Sequence, residues 1–314
     1  MRWNKGWILV NNHYKNFAAS VQAALPTAKL FLNESMQRHT SFRIGGPADC
    51  LAIPQNEAEL VALLEMSKAH HVPVTVIGNG SNLLVKDRGV RGLVIKLGGG
   101  LLGVQREENR LSAGAGMTLA AVAFFAAAQS LSGMEFAVGI PGSLGGAVYM
   151  NAGAYDGEMS GIVGNVTAVT PEGVMCSFSH EAMQFSYRHS CLQANRCIVT
   201  GVELVLQTGD KAAIQKRMDE FTARRIAKQP LQIPNAGSMF KRPPGHFAGT
   251  LIEEAGLKGV SVGGAQVSEK HAGFVVNTGG ATAADVLQLI EKIKENVFAK
   301  THVMLEPEVR ILGE

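Results

Sequence analysis

Three polar side chains have the type and setting for chemistry. Ser238 follows Asn235-Ala-Gly, a small-residue run that could expose its hydroxyl on a tight turn. Arg188 follows Tyr187 between two strand-like stretches. Glu308 lies in Leu305-Glu-Pro-Glu-Val-Arg310, where period-two alternation puts Glu306, Glu308 and Arg310 on one face. Each has an ordinary structural reading beside the chemical one: a cap or turn serine, a surface ion pair, a solvated strand face. No G-x-S-x-G elbow surrounds Ser238, which argues against a hydrolase.

Chemistry of this kind needs a partner molecule, and two glycine-rich stretches could hold one. The first, Gly78, Asn79, Gly80, Ser81 and Asn82, follows the strand-like Val72–Ile77. The second comprises Gly139, Ile140, Pro141, Gly142, Ser143, Leu144, Gly145, Gly146 and Ala147. Too many of its positions lack a Cβ for an ordinary helix or strand. It reads either as a compact turn or as a loop whose N–H groups cradle an anion such as a pyrophosphate. Two such loops in one chain favour a large phosphorylated cofactor held from two sides. Gly98-Gly-Gly-Leu-Leu-Gly103 also matches G-x-G-x-x-G. The following Val104–Arg110 has no helical apolar face, so a strand turn is the better reading than a dinucleotide fingerprint.

The chain has 314 residues, 46% hydrophobic and 18% charged, which describes a globular protein with room for two or three domains. Its 36 glycines fit a protein of turns and ligand loops. A formal charge of +3 is too small to argue for nucleic acid, though it suits an anionic small substrate. Cys50, Cys176, Cys191 and Cys197 form no C-x-x-C pair. They read as reduced structural thiols of a cytoplasmic protein, with no metal site. The apolar start Trp7–Val10 is too short for a signal peptide, and no run approaches the ~20 residues of a membrane span.

Around these residues the patterning predicts an α+β chain. After a weakly patterned lead-in over residues 1–32, with one helix near Phe17–Leu25, helices are expected over 56–70, 118–130, 211–227, 248–255 and 282–298. Strands are expected over 72–77, 93–97, 163–169, 174–178, 198–206, 260–267, 273–276 and 303–312. Thr40-Ser-Phe-Arg-Ile-Gly-Gly-Pro47 reads as a strand ending in a turn, with Arg43 free to face a phosphate. The pattern shifts at Gly209-Asp210. That places a first domain over 1–209, in two lobes dividing near 97, and a second over 210–314.

Seven segments in order resemble the UDP-N-acetylenolpyruvoylglucosamine reductase family, flavoproteins of bacterial cell-wall precursor synthesis. They are His39–Asp49, Gly78–Leu84, Gly139–Ala147, Asn151–Tyr155, Tyr187-Arg188, Asn235–Pro243 and Leu305–Arg310. The resemblance covers the chain from about residue 33 to its end. It implies a p-cresol-methylhydroxylase-type FAD-binding domain of two α+β subdomains, then a smaller α+β substrate domain. It also implies non-covalent FAD, NADPH as reductant, and UDP-N-acetylglucosamine enolpyruvate as substrate. Only about 50 residues separate Arg188 from Ser238, which resembles the family's shorter type II form, without an extra substrate-covering loop.

By the same resemblance, hydride passes from flavin N5 to the β-carbon of the enol ether. Arg188 and Glu308 polarise the carboxylate, Glu308 best as a hydrogen-bond donor, a state that burial favours. Ser238 gives the proton to the α-carbon. Arg43, the first glycine loop and Gly139–Ala147 fall on cofactor positions. Tyr155, Tyr187, Lys228, Arg242 and His271 fall on substrate positions. A sugar or alcohol oxidase of the same fold often attaches its flavin through a histidine in the first glycine loop, and Gly78–Asn82 has none. A non-enzymatic nucleotide-sugar sensor would have no need of a proton donor.

Overall fold

The computed structural model describes residues 4–314, with side chains from residue 12 onward. The first three residues of the lead-in lie outside the described residues. Eight α-helices occur among the described residues. They are α1 Asn4–Ala24, α2 Glu57–Ala69, α3 Leu119–Ala128, α4 Leu144–Tyr149, α5 Leu192–Asn195, α6 Lys211–Lys228, α7 Ala248–Glu254 and α8 Ala283–Thr301. None is long and apolar enough to cross a membrane.

The chain forms two compact units, discontinuous in sequence. Unit 1 is Met1–Leu32, Asp49–Asn79 and Gly92–Arg224; unit 2 is Asn33–Ala48, Gly80–Arg91 and Arg225–Glu314. This differs from the single break expected at Gly209-Asp210. Helix α6 buries Ile214, Met218 and Phe221, and the units part near its end, between Arg224 and Arg225.

Unit 1 has two cores. One gathers α1 and α2 on a sheet ordered Lys29–Ser35, Pro47–Ile53, Val90–Lys96, Val74–Ile77, with Phe17, Leu60, Leu63, Leu93 and Ile95 fully buried. The last two strands are parallel, with Val74 opposite Leu93. Helix α2 starts where expected because Asn56 caps it, its side chain accepting from Glu59 N–H at 2.8 Å. The second core packs α3 and α4 against a five-stranded sheet ordered Met175–Ser179, Val163–Val169, Ile198–Val205, Arg110–Gly114, Val104–Glu107. Gly98–Gly103 leads directly into the strand Val104–Glu107, so that glycine run is a strand turn as read.

Unit 2 wraps α7 and α8 around a sheet ordered Asn235–Ser238, Phe274–Asn277, Ala265–Val267, Ser261–Val262. Helix α8 carries the longest apolar stripe, Val286, Leu289, Ile290, Ile293 and Val297, all buried. A capping box of Thr282 and Asp285 starts it. Phe42, Ile44 and Leu84 insert into this core from the two early segments of the unit. Three strand expectations are corrected. Residues 40–46 form a turn and an irregular stretch, with Arg43 N–H donating to Thr40 O at 3.2 Å, and the strand begins at Pro47. Residues 260–267 are two short strands around Gly263, whose φ is +52°. The final strand covers Arg310–Leu312 only, because Pro307 interrupts the ladder and holds just an isolated bridge to Phe240.

Candidate functional site

Three of the residues singled out from the sequence meet in unit 2. Asn235–Ser238 is an edge strand, so Ser238 is neither a helix cap nor a turn residue. The ladder to Phe274–Asn277 is irregular between Asn235 and Ser238, and Gly237 has φ +76°. That bulge leaves Ser238 exposed while Met239 and Phe240 are buried. Across from it, the Glu308 N–H donates to Met239 O at 2.9 Å, and Lys241 N–H donates to Glu306 O at 2.9 Å. Glu308 is half-buried, flanked by buried Leu305 and Val309. Asn82, from the first glycine loop, donates through Nδ2 to Glu308 O at 3.2 Å, and its own carbonyl accepts from Arg310 N–H at 3.0 Å. The strand Leu83–Val85 then pairs in parallel with Arg310–Leu312.

The rest of the first glycine loop is tightly seated. A Cβ on Gly80 would stand 2.0 Å from His39 O, and φ there is +67°. Ser41 N–H donates to Gly80 O at 3.1 Å. The main-chain N–H groups of Gly80, Ser81 and Asn82 donate to no acceptor among the described residues. Three consecutive N–H groups on a glycine loop suit an anion such as the pyrophosphate of FAD. Arg43 is exposed with φ +55°, while its neighbours Phe42 and Ile44 are buried.

Two further unit 2 residues have definite settings. His271 is half-buried; its Nδ1 accepts from Gly273 N–H at 3.1 Å and its ring meets Phe274 edge-on at 5.1 Å. Burial lowers its imidazole from the usual 6.5, and Lys258 and Lys228 add to that. Glu253 and a hydrogen bond with its own backbone partly offset the shift. Arg242 is exposed and lies over the Phe247 ring at 3.8 Å. Lys228 is exposed at the end of α6.

In unit 1 the two glycine stretches meet: a Cβ on Gly78 would fall 2.2 Å from Ser143 Oγ. The second stretch is not a loop throughout. Ser143 caps α4, accepting from Gly146 N–H at 3.3 Å, and residues Leu144–Tyr149 are helical. Its glycines serve packing there, since a Cβ on Gly145 would sit 3.0 Å from Ala115 Cβ.

Tyr187 and Arg188 form the tip of a tight reversal closed by Ser186 N–H to His189 O at 3.2 Å and the return bond at 3.0 Å. Arg188 has φ +56°, lies 4.9 Å from the Tyr187 ring centroid, and donates to Gly153 O at 3.5 Å. Asn151 holds the reversal: fully buried, it donates to Ser186 O at 3.1 Å and accepts from Ser160 N–H at 2.8 Å. Tyr155, at φ +50°, stacks on Phe221 with centroids 4.4 Å apart. Non-glycine residues in this region cost about 1–3 kcal/mol each and cluster at working sites. Arg43, Tyr155 and Arg188 all adopt it.

The Tyr155–Phe221 stack borders a cleft of about 440 Å³, lined also by Asp156 and by Lys216, Arg217, Glu220 and Arg224 of α6. The patterning over 211–227 predicts the helix and gives Lys216 and Arg217 no role of their own. The signal was the spacing of Arg217, Phe221 and Arg224 along one helix face. Phe221 is buried on that helix together with Ile214 and Met218.

Residues 48–179 match the FAD binding domain family. Residues 229–312 match the UDP-N-acetylenolpyruvoylglucosamine reductase C-terminal domain. The fold is thus that of a flavoprotein with a p-cresol-methylhydroxylase-type FAD-binding domain followed by an α+β C-terminal domain. The UDP-N-acetylenolpyruvoylglucosamine reductase of Agathobacter rectalis is 50% identical over 312 residues, covering 96% of this chain and 99% of that protein. The same-named protein of Heliobacterium modesticaldum is 51% identical over 90% of each chain. The crystal structure of UDP-N-acetylenolpyruvylglucosamine reductase from Thermus caldophilus superposes with a TM-score of 0.78 at 38% identity, covering 91% of this chain and 99% of that one. This chain belongs to the UDP-N-acetylenolpyruvoylglucosamine reductase family, and it is an FAD-dependent oxidoreductase.

Proposed function

We propose that the chain reduces the enolpyruvyl ether of UDP-N-acetylglucosamine to UDP-N-acetylmuramate, with NADPH as reductant. The observation that carries this reading is that the segment of Ser238 is hydrogen-bonded to the segment of Glu308. The Met239 carbonyl, one residue beyond Ser238, holds the Glu308 N–H at 2.9 Å. A hydroxyl donor and a carboxyl group are thereby fixed on facing segments of one unit.

Arg43, the first glycine loop and Gly139–Ala147 would hold FAD, which would supply the hydride chemistry between NADPH and the β-carbon of the enol ether. The protein must then manage the charge that develops on the α-carbon and its carboxylate. Ser238 gives that carbon its proton; a carbanion-like centre is basic enough to draw one from a positioned hydroxyl. Glu308 donates a hydrogen bond to the substrate carboxylate, and Arg188 supplies a fixed cation. The backbone of Arg188 is locked by its left-handed φ and by Gln193 Nε2 donating to its carbonyl at 3.0 Å.

Lys216, Arg217 and Arg224 outnumber Asp156 and Glu220 in the cleft beside Tyr155, a balance that suits an anionic part of the nucleotide sugar. Tyr187, Lys228, Arg242 and His271 are assigned to substrate by the same reading. Arg43, the first glycine loop and Gly139–Ala147 are assigned to FAD. The domain roles follow: most of the flavin site on residues 1–209, most of the substrate site beyond 210.

Spectra of the purified protein test the proposal. Oxidised-flavin absorbance should bleach with NADPH and return, without oxygen, only on adding the enolpyruvyl sugar nucleotide. Return with a simple sugar or alcohol, or no response to the nucleotide, contradicts it.

A further inference from the structure

We infer that Asn82 is a positioning residue for Glu308, acting through the main chain that carries the carboxyl group. The inference rests on the role proposed for Glu308. Asn82 donates through Nδ2 to Glu308 O at 3.2 Å, and its carbonyl accepts from Arg310 N–H at 3.0 Å. The Glu308 N–H is taken by Met239 O at 2.9 Å. Both polar backbone groups of Glu308 are therefore fixed from outside its own segment. The need is local. Pro307 has no N–H, the regular ladder begins only at Arg310, and just one isolated bridge precedes it. The Asn82 amide thus holds the Glu308 carbonyl on a stretch that the regular ladder does not reach.

The donor assignment does not depend on which way the amide was placed, since a main-chain carbonyl can only accept. The contact also links two functions. The N–H groups of Gly80, Ser81 and Asn82 suit the cofactor, and the Asn82 side chain holds the carboxyl-bearing residue. A loop that seats FAD would then register Glu308 with it. A displacement of about 1 Å in a reacting group can cost on the order of 10²-fold in rate.

The experiment uses holoenzyme and reads the two half-reactions separately by stopped flow. Asn82→Ala removes the side-chain donor and leaves the main-chain N–H. We expect FAD to remain bound, because the main-chain N–H groups are kept, and the substrate half-reaction to slow roughly 10-fold more than the NADPH half-reaction does. Asn82→Ser, with a shorter donor, should recover part of that loss. The loss should vanish in a Glu308→Gln background, because the two changes act on one group. Equal losses in both half-reactions, or Asn82→Ala and Glu308→Gln effects that multiply, would overturn the inference. If Glu308→Gln alone leaves the substrate half-reaction intact, the role proposed for Glu308 fails, and the inference with it. Should Asn82→Ala not fold, Asn82→Ser carries the same comparison.

Discussion

Tyr155 lies face to face on Phe221, centroids 4.4 Å apart and planes 3° from parallel, with the Tyr155 hydroxyl donating to Phe221 O at 3.1 Å. Phe221 is 7% exposed, so the stack anchors one wall of the cleft to the core. Phe221→Leu keeps most of the buried volume and removes the stacked face. It should raise KM for the nucleotide sugar about 2- to 10-fold, the equivalent of one aromatic contact, with kcat changed less. Steady-state kinetics check this; an unchanged KM with lowered kcat would place the cleft outside substrate binding.

His271 gives a pH prediction with a definite sign. Burial holds its folded pKa below the 6.5 of the free imidazole. Below that value the unfolded chain therefore binds more protons than the native one. The stability contributed by neutral His271 is complete above 6.5 and is lost as pH falls through the lower folded value. Urea unfolding of the parent and of His271→Gln should differ in slope against pH in that acidic range, the parent falling more steeply. Parallel curves would show that His271 titrates alike in both states.

Helix capping offers a stability test remote from the chemistry. Asp87 accepts from Ala283 N–H at 2.8 Å and Ala284 N–H at 3.0 Å, capping α8 from another segment of unit 2. Asp87→Ala should cost about 1 kcal/mol and Asp87→Asn much less, both read as shifts in urea midpoint at constant slope. A changed slope would mean that the residue does more than cap.

Much of this was legible in the sequence where one segment carries its own signal. The helices α2, α3 and α8 begin where the patterning puts them, each with its own local cap at Asn56, Thr118 or Thr282. What could not be read depends on distant partners. Nothing in Val303–Leu312 alone says that the strand waits until Arg310, where Leu83 is available to pair. Gly139–Ala147 looked too glycine-rich for a helix, yet Ser143 caps one there and Gly145 lets it lie against Ala115. The units interleave because segments 33–48 and 80–91 contribute Phe42, Ile44 and Leu84 to the later core. Composition changes along a chain cannot reveal that. Ser238, Arg188 and Glu308 were each ambiguous alone; their order among matching segments singled them out.

The flavin should be releasable. The first glycine loop has no histidine, and the nearby His39 bonds through its ring to Glu34 at 3.0 Å. Acid or heat precipitation should leave yellow FAD in the supernatant. Flavin retained by the pellet after washing in denaturant would indicate a covalent link.

The central claim is that Ser238 delivers the proton, and Ser238→Ala tests it most directly. The side chain is exposed on a strand edge, so the change should leave the fold intact. With enzyme pre-reduced by NADPH, stopped flow follows reoxidation of the flavin by the enolpyruvyl sugar nucleotide. We predict a loss of about 10²- to 10⁴-fold in that step, near-normal reduction by NADPH, and partial recovery in Ser238→Cys, whose thiol is the stronger acid. Small and equal losses in the two half-reactions would contradict the account and leave Ser238 a structural residue.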